Sequence, residues 1–93
     1  MYCVYILYSK KLDRFYTGST SDFDKRMEFH DSPEARKFTA KAHDWVLFDT
    51  ITCESKSQAL SIEKHIKSMK SKIYIRNLKQ YVEIKEKLKS KFE

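Results

Sequence analysis

The chain has 93 residues, of which 41% are hydrophobic and 14% aromatic, enough for one compact core and too few for a second. Lys and Arg number 19 against 13 Asp and Glu, and the net charge of +6 points to polyanionic partners, nucleic acid ahead of an anionic membrane surface. No apolar run approaches the roughly 18 residues of a membrane span, and no charged-then-apolar leader opens the chain, so a cytoplasmic protein is expected.

Tyr2 to Tyr8 is almost wholly apolar, aromatic or β-branched, the pattern of a strand buried on both faces. Ser9 to Arg14 is a polar connection of hairpin type. Phe15-Tyr16-Thr17 then reads as a short second strand stopped at Gly18, the only glycine in the chain. Its placement predicts a backbone position where a Cβ would clash or φ must be positive. Ser19-Thr20-Ser21-Asp22 supplies N-cap residues and early negative charge, so a helix is expected from near Asp22. Phe23, Met27 and His30 share one face of it, with Arg26 beside them. Asp31-Ser32-Pro33 ends this helix, because proline disfavours helical geometry in the preceding residue. Residues 34–43 read as a basic loop carrying Arg36, Lys37, Lys41 and His43.

Trp45 to Cys53 predicts the longest strand. Ser55 with Gln58 three residues on matches a capping box, opening a helix that buries Ala59, Ile62, Ile66 and Met69. Lys70-Ser71-Lys72 breaks it, and one further helical pattern runs from Ile73 to Phe92 through Leu78, Val82, Ile84 and Leu88. The expected architecture is a single α/β domain over residues 1–93: three mostly antiparallel strands with helices around them and a basic C-terminal helix. From Lys64 to Lys91 there are ten Lys or Arg and two acids, a solvated helix face or a phosphate-tracking surface. Cys3 and Cys53 lack metal-ligand spacing and are expected as reduced thiols rather than a zinc site.

Hydrolysis of a phosphodiester needs an in-line water, an acceptor for its proton, positive charge on the non-bridging oxygens and help for the departing oxygen. A divalent ion supplies the last two, and one carboxylate plus waters suffices for Mg²⁺. Glu63 borders the apolar stripe of its helix, which fits a metal ligand; the alternative is a surface pair with Lys67 at i+4. Arg26 and His30 leave one helical face, a guanidinium fork for phosphate beside a group that relays protons near neutral pH; the alternative is core-edge packing. Tyr5 and Tyr16 flank each other across the expected hairpin, where tyrosines otherwise serve as packing.

Taken together, Cys3-Val4-Tyr5, then Tyr16-Thr17-Gly18 after ten intervening residues, then Arg26 with His30, then Glu63, resemble the four motifs of the GIY-YIG nuclease family. The likeness spans residues 2–80 and is closest to small single-domain bacterial members related to the DNA-repair excision endonuclease. It implies a three-stranded antiparallel sheet flanked by helices and a metal-dependent endonuclease acting on DNA, with RNA as a further substrate class. It also implies the site. Glu63 would hold one Mg²⁺ or Mn²⁺, Tyr5 would act as or assist the general base with His30 relaying the proton, Arg26 would stabilise the phosphorane, Tyr16 would position water or phosphate, and Gly18 would keep the approach clear. A phenol ionises at about 10, so such a base needs positive neighbours. Lys25 and Lys37 are expected to touch phosphates, and Asn77 stands at a distance from Glu63 that suits the asparagine following the family's glutamate. Cys3 replaces the first motif's glycine.

A catalytic core this small leaves little surface for base readout, so low sequence specificity is expected, or specificity supplied by a protein partner. The competing readings are a binding module that keeps the fold without cutting, and a small RNA- or ribosome-associated protein. Strands packed on both faces argue against the latter, which would expose aromatics over its sheet.

Overall fold

The computed structural model describes residues 2–22 and 45–93. Strands β1 (Tyr2–Ser9), β2 (Arg14–Thr20) and β3 (Val46–Cys53) precede helices α1 (Lys56–Met69), α2 (Lys72–Gln80) and α3 (Val82–Lys91). The sheet order is β2-β1-β3, with both pairings antiparallel. The most apolar strand takes the centre, where both faces and both edges are covered; Val4, Tyr5, Ile6 and Leu7 are all buried.

Strand alternation divides β1 between two faces. Val4 and Ile6 join Ile51 and Cys53 of β3, Ala59, Ile62 and Ile66 of α1, Ile75 and Leu78 of α2, and Leu88 of α3 in one core. Tyr5 and Leu7 lie on the opposite face, so the two-faced burial expected of this strand holds. Cys3 pairs with Thr52, one residue before Cys53, so the two thiols point to opposite faces. Both are free, and burial pushes both up from the ordinary thiol range.

The hairpin turns over Lys10–Asp13, with Asp13 in the left-handed region (φ 49) and Leu12 N–H donating to Ser9 Oγ. Strand β2 does not stop at Gly18 but continues to Thr20, pairing Gly18 with Tyr5 and Ser19 with Val4. Of the two explanations for the lone glycine, the structure supports the steric one. Its φ is not positive, and a Cβ there would lie 2.5 Å from Tyr5 Oη and 2.6 Å from Tyr5 Cζ. The bare backbone is the seat of the Tyr5 ring.

Strand β3, at eight residues, equals β1 in length rather than exceeding it. Its register with β1 slips between Ile6 and Leu7, a bulge beside Phe48. Ser55 caps α1 by accepting from Gln58 N–H, and Gln58 Oε1 accepts from Glu54 N–H, one residue earlier than in the usual reciprocal box. Gln58 Nε2 donates to the Lys89 carbonyl, tying the start of α1 to the end of α3. The break at Lys70-Ser71 is as expected: Lys70 is left-handed (φ 48, ψ 40), and Ser71 caps α2 by accepting from Tyr74 N–H.

Two expectations are corrected. Met69, the last residue of α1, is 43% exposed, while Ile66 on the same turn is buried in the core. The single helix expected over 73–92 is two, parted at Tyr81, whose φ −116 and ψ 98 are extended. The break rotates the second helix, so Val82 is 59% exposed while Leu88 stays in the core. Lys85 then reaches Asp49 Oδ1 at 2.7 Å and the Thr50 carbonyl at 3.1 Å, a sheltered ion pair that fixes α3 across β3. The expected helix after Asp22 and the basic loop lie outside the described residues.

Gly18→Ala is expected to destabilise the protein by about 1–3 kcal/mol, the usual cost of overpacking. In a Tyr5→Leu background the same change should cost much less; additive denaturation midpoints in the double-mutant cycle would show that the ring and the glycine are not coupled. A second test concerns the hairpin tip, where hydrogen bonds from Lys72 and then from Tyr8 hold the Asp13 carboxyl below its ordinary range. A depressed pKa adds stability above the unfolded value, about 3.9 for aspartate, and loses it as pH falls through the lowered folded value. Asp13→Asn should therefore lower the melting temperature slightly at pH 6, with the gap to wild type closing at acid pH.

Candidate active site

Helix α1 lies antiparallel over edge strand β2. One stripe of the helix, Lys56, Leu60, Glu63, Lys67 and Lys70, follows the strand at successive turns. Near the end of β2, Ser19 Oγ donates to Glu63 Oε1 at 2.5 Å, and from the helix side Lys67 Nζ donates to Glu63 Oε2 at 2.6 Å. The Glu63 side chain is 18% exposed, so the carboxylate sits at the border of the apolar stripe as expected, with one oxygen held by a strand and the other by its own helix. The surface-pair alternative is therefore present, with a second contact beside it. Glu63 pairs with Lys67 at i+4, and it also reaches inward to the strand that carries Tyr16 and Gly18.

The first two motifs meet at Gly18, and the residue after it ties the strand to the glutamate. Tyr5 stacks over the Gly18 backbone, and its ring centroid is 6.4 Å from that of Tyr16. Ser19, the next residue, carries the hydrogen bond to Glu63. Strand alternation sends Tyr16 and Gly18 to one face, with Tyr5, and Thr17 and Ser19 to the other, so Glu63 meets edge strand β2 from the side of Ser19. The two tyrosines differ in access. Tyr5 is 0% exposed, whereas Tyr16 is half-buried, packs edge-on against Trp45 at 6.4 Å and lines a cavity.

That cavity, of about 320 Å³, lies between β2 and the α1–α2 junction. Lys67, the cation on Glu63, lines it together with Tyr16 and Thr17 of β2. At the other end of the same seam, Ser19, Thr20, Ser21, Lys56 and Leu60 line a second hollow of about 270 Å³. Glu63 stands between the two.

Among the described residues no group of three or more His, Cys, Asp or Glu gathers. Glu63 is the carboxylate that the described part of the site offers to a metal, and one carboxylate completed by water suits Mg²⁺. Asn77 lies half-buried in α2, where its carbonyl accepts from Tyr81 N–H at 2.8 Å, and no side-chain hydrogen bond joins it to Glu63 among the described residues. Arg26, His30, Lys25 and Lys37 lie outside the described residues. The group that sequence reasoning missed is Ser19, read as a helix cap and found to be the strand partner of Glu63. Its signal was the alternation Phe15, Thr17, Ser19, which carries β2 past the glycine.

No curated protein and no solved structure matches the chain significantly. A family model described as the GIY-YIG catalytic domain matches residues 1–80, from the first strand to the last residue of α2. With that match spanning the described sheet, the tyrosine pair and Glu63, the chain belongs to the GIY-YIG nuclease family.

Proposed function

We propose that the protein is a divalent-metal-dependent endonuclease that hydrolyses phosphodiester bonds in DNA with low intrinsic sequence specificity. The observation that carries this reading is the linkage at Gly18–Ser19: a sheltered carboxylate held to the strand by Ser19, one residue from the glycine on which Tyr5 packs with Tyr16 next to it. A fold kept for binding alone has no use for a sheltered carboxylate next to a phosphate-binding surface, since it repels the ligand. A site for a cation does.

In this reading Glu63 holds one Mg²⁺ or Mn²⁺. Bound there, the ion would neutralise charge on the scissile phosphate and on the departing oxygen. The protein's own groups do the remaining work. Ser19 fixes the carboxylate's direction through Oε1 and leaves Oε2 as the face that exchanges its Lys67 ammonium for another cation. Tyr16, accessible from the cavity, positions the attacking water. Tyr5 assists the general base from behind it, and His30 carries the water's proton away as the new P–O bond forms and the P–O bond to the leaving sugar breaks. Arg26 pairs with the negative charge that builds on the phosphorane. Gly18 lets the phenols lie close to the strand. Lys25, Lys37 and Asn77 are proposed as backbone contacts. Specificity, where it exists, comes from a protein partner or from DNA structure, and RNA is the alternative substrate class.

Glu63→Gln is expected to abolish cleavage of labelled single-stranded, duplex, nicked and branched DNA in Mg²⁺ or Mn²⁺, while binding stays within a few-fold because affinity comes from the basic surface. Cutting at the parent rate by the variant would remove Glu63 from the site. Tight binding without metal-dependent cutting by the parent would favour the binding-module reading.

Lys67 gives an independent check, since its ammonium and the metal compete for one oxygen. Lys67→Ala should lower the Mg²⁺ concentration needed for half-maximal cleavage several-fold. An unchanged or raised requirement would mean that the ion does not enter at Oε2.

A further inference from the structure

The cavity between β2 and the α1–α2 junction has a two-part lining that the hydrolytic groups do not explain. Its rim is cationic: Arg14, Lys67, Lys70 and Lys72. Its floor is apolar, made by Phe15, Ile66 and Ile75. Two of the four cations are held in place, Lys67 on Glu63 and Lys72 on Asp13 at 2.8 Å. The other two, Arg14 and Lys70, have no ion-pair partner among the described residues. Ser71 and Lys72, at the start of α2, also line it, and the first-turn amides of Lys72 and Ile73 have no acceptor within their own helix.

Lys70 adds a separate observation. It occupies the left-handed C-cap of α1, a position where glycine costs nothing and any other residue is disfavoured. A lysine kept at a mildly strained position on the rim of a cavity serves that rim better than it serves the helix.

We infer that this cavity is a nucleotide subsite of the nucleic-acid cleft, its cationic rim gripping a phosphate and its apolar floor receiving the attached sugar and base. This rests on the nuclease reading for the identity of the polymer, and it adds where a neighbouring nucleotide sits and which groups hold it. About 320 Å³ exceeds what a bare phosphate fills and suits a single nucleotide unit. Because Lys67, the partner of Glu63, lines it, an occupant would adjoin the scissile phosphate placed beside Glu63 in that reading. A base lodged in such a hollow must leave its stack, so the cleft is expected to prefer a single strand, a flap or a nicked end over intact duplex.

The test is an amide NMR titration of the full chain with thymidine 5′-monophosphate, inorganic phosphate and thymidine, repeated on Lys70→Gly. The monophosphate is expected to give saturable shifts at Thr17 and at Ser71 to Ile73. Phosphate should move the Ser71 to Ile73 amides more weakly, and thymidine should move none at the same concentration. Lys70→Gly, whose backbone suits the left-handed cap, should keep or raise the melting temperature yet weaken monophosphate binding about tenfold, the loss of one charge-assisted contact. Shifts scattered over surface lysines, equal shifts with thymidine, or an undiminished affinity in Lys70→Gly would overturn the subsite. The readout needs no cleavage, so the two readings fail separately. A protein that cuts DNA without these shifts refutes the subsite alone, whereas saturable binding in a protein that cuts no nucleic acid refutes its placement beside a scissile bond.

Discussion

The approach of the Tyr5 phenol to the Gly18 backbone is the constraint on which the rest of the site depends. Antiparallel register places the two residues opposite each other, and the missing Cβ lets the ring lie flat across β2 rather than stand away from it. Three consequences follow. Tyr5 is driven out of solvent, Tyr16 is brought beside it two residues before the glycine, and the strand continues undistorted to present Ser19 to the helix. A methyl group at residue 18 would act on all three at once, because ring, strand and helix meet within one residue of it.

The seam between α1 and β2 is where structural and chemical demands overlap. The inner side of α1 is committed to packing through Ala59, Ile62 and Ile66, and that packing sets how deeply the adjacent stripe sits. Glu63 lies on the stripe one position outside the core, shielded enough for its charge to need partners yet near enough to the edge for a small ion to reach it. Its partners are unlike each other. A serine hydroxyl is neutral and short, so it orients the carboxylate without cancelling its charge, whereas the half-exposed Lys67 ammonium is tethered by a flexible stem. An arrangement with one fixed and one exchangeable partner suits a carboxylate that must hold its direction while changing its counter-ion.

Legibility in the sequence followed the physical range of each signal. The buried central strand, the hairpin, the break at Lys70-Ser71 and the Ser55–Gln58 cap are local patterns, and all appear in the structure. Gly18 was legible as special because the chain has no other glycine, but the reason lay thirteen residues away in the side chain of Tyr5, and only the register could supply it. Ser19 was misread because a run of Ser, Thr and Asp is as good a helix cap as it is a strand end, and the choice is made by a glutamate 44 residues on. The division at Tyr81 was invisible for a similar reason. No proline or glycine marks it, and α3 turns there because Lys85, Leu88 and the Lys89 carbonyl find partners on β3, in the core and on Gln58.

Helix α3 bears on what the family match means for this chain. The match ends at residue 80, yet the sequence beyond it is joined to the rest by a sheltered ion pair, a core leucine and a side-chain bond to the start of α1. Gln58 makes the link concrete: its amide oxygen holds the Glu54 N–H at the helix cap while its nitrogen holds α3. The orientation of α1, and with it the height of Glu63 over β2, is thus braced at two points, by Ser19 along its length and by α3 at its start. On the proposed reading Glu63 must keep its place while its counter-ion changes, and a short helix over an edge strand has few other means of resisting that pull. The basic C-terminal helix therefore belongs to the mechanics of the site whether or not its lysines ever meet a phosphate.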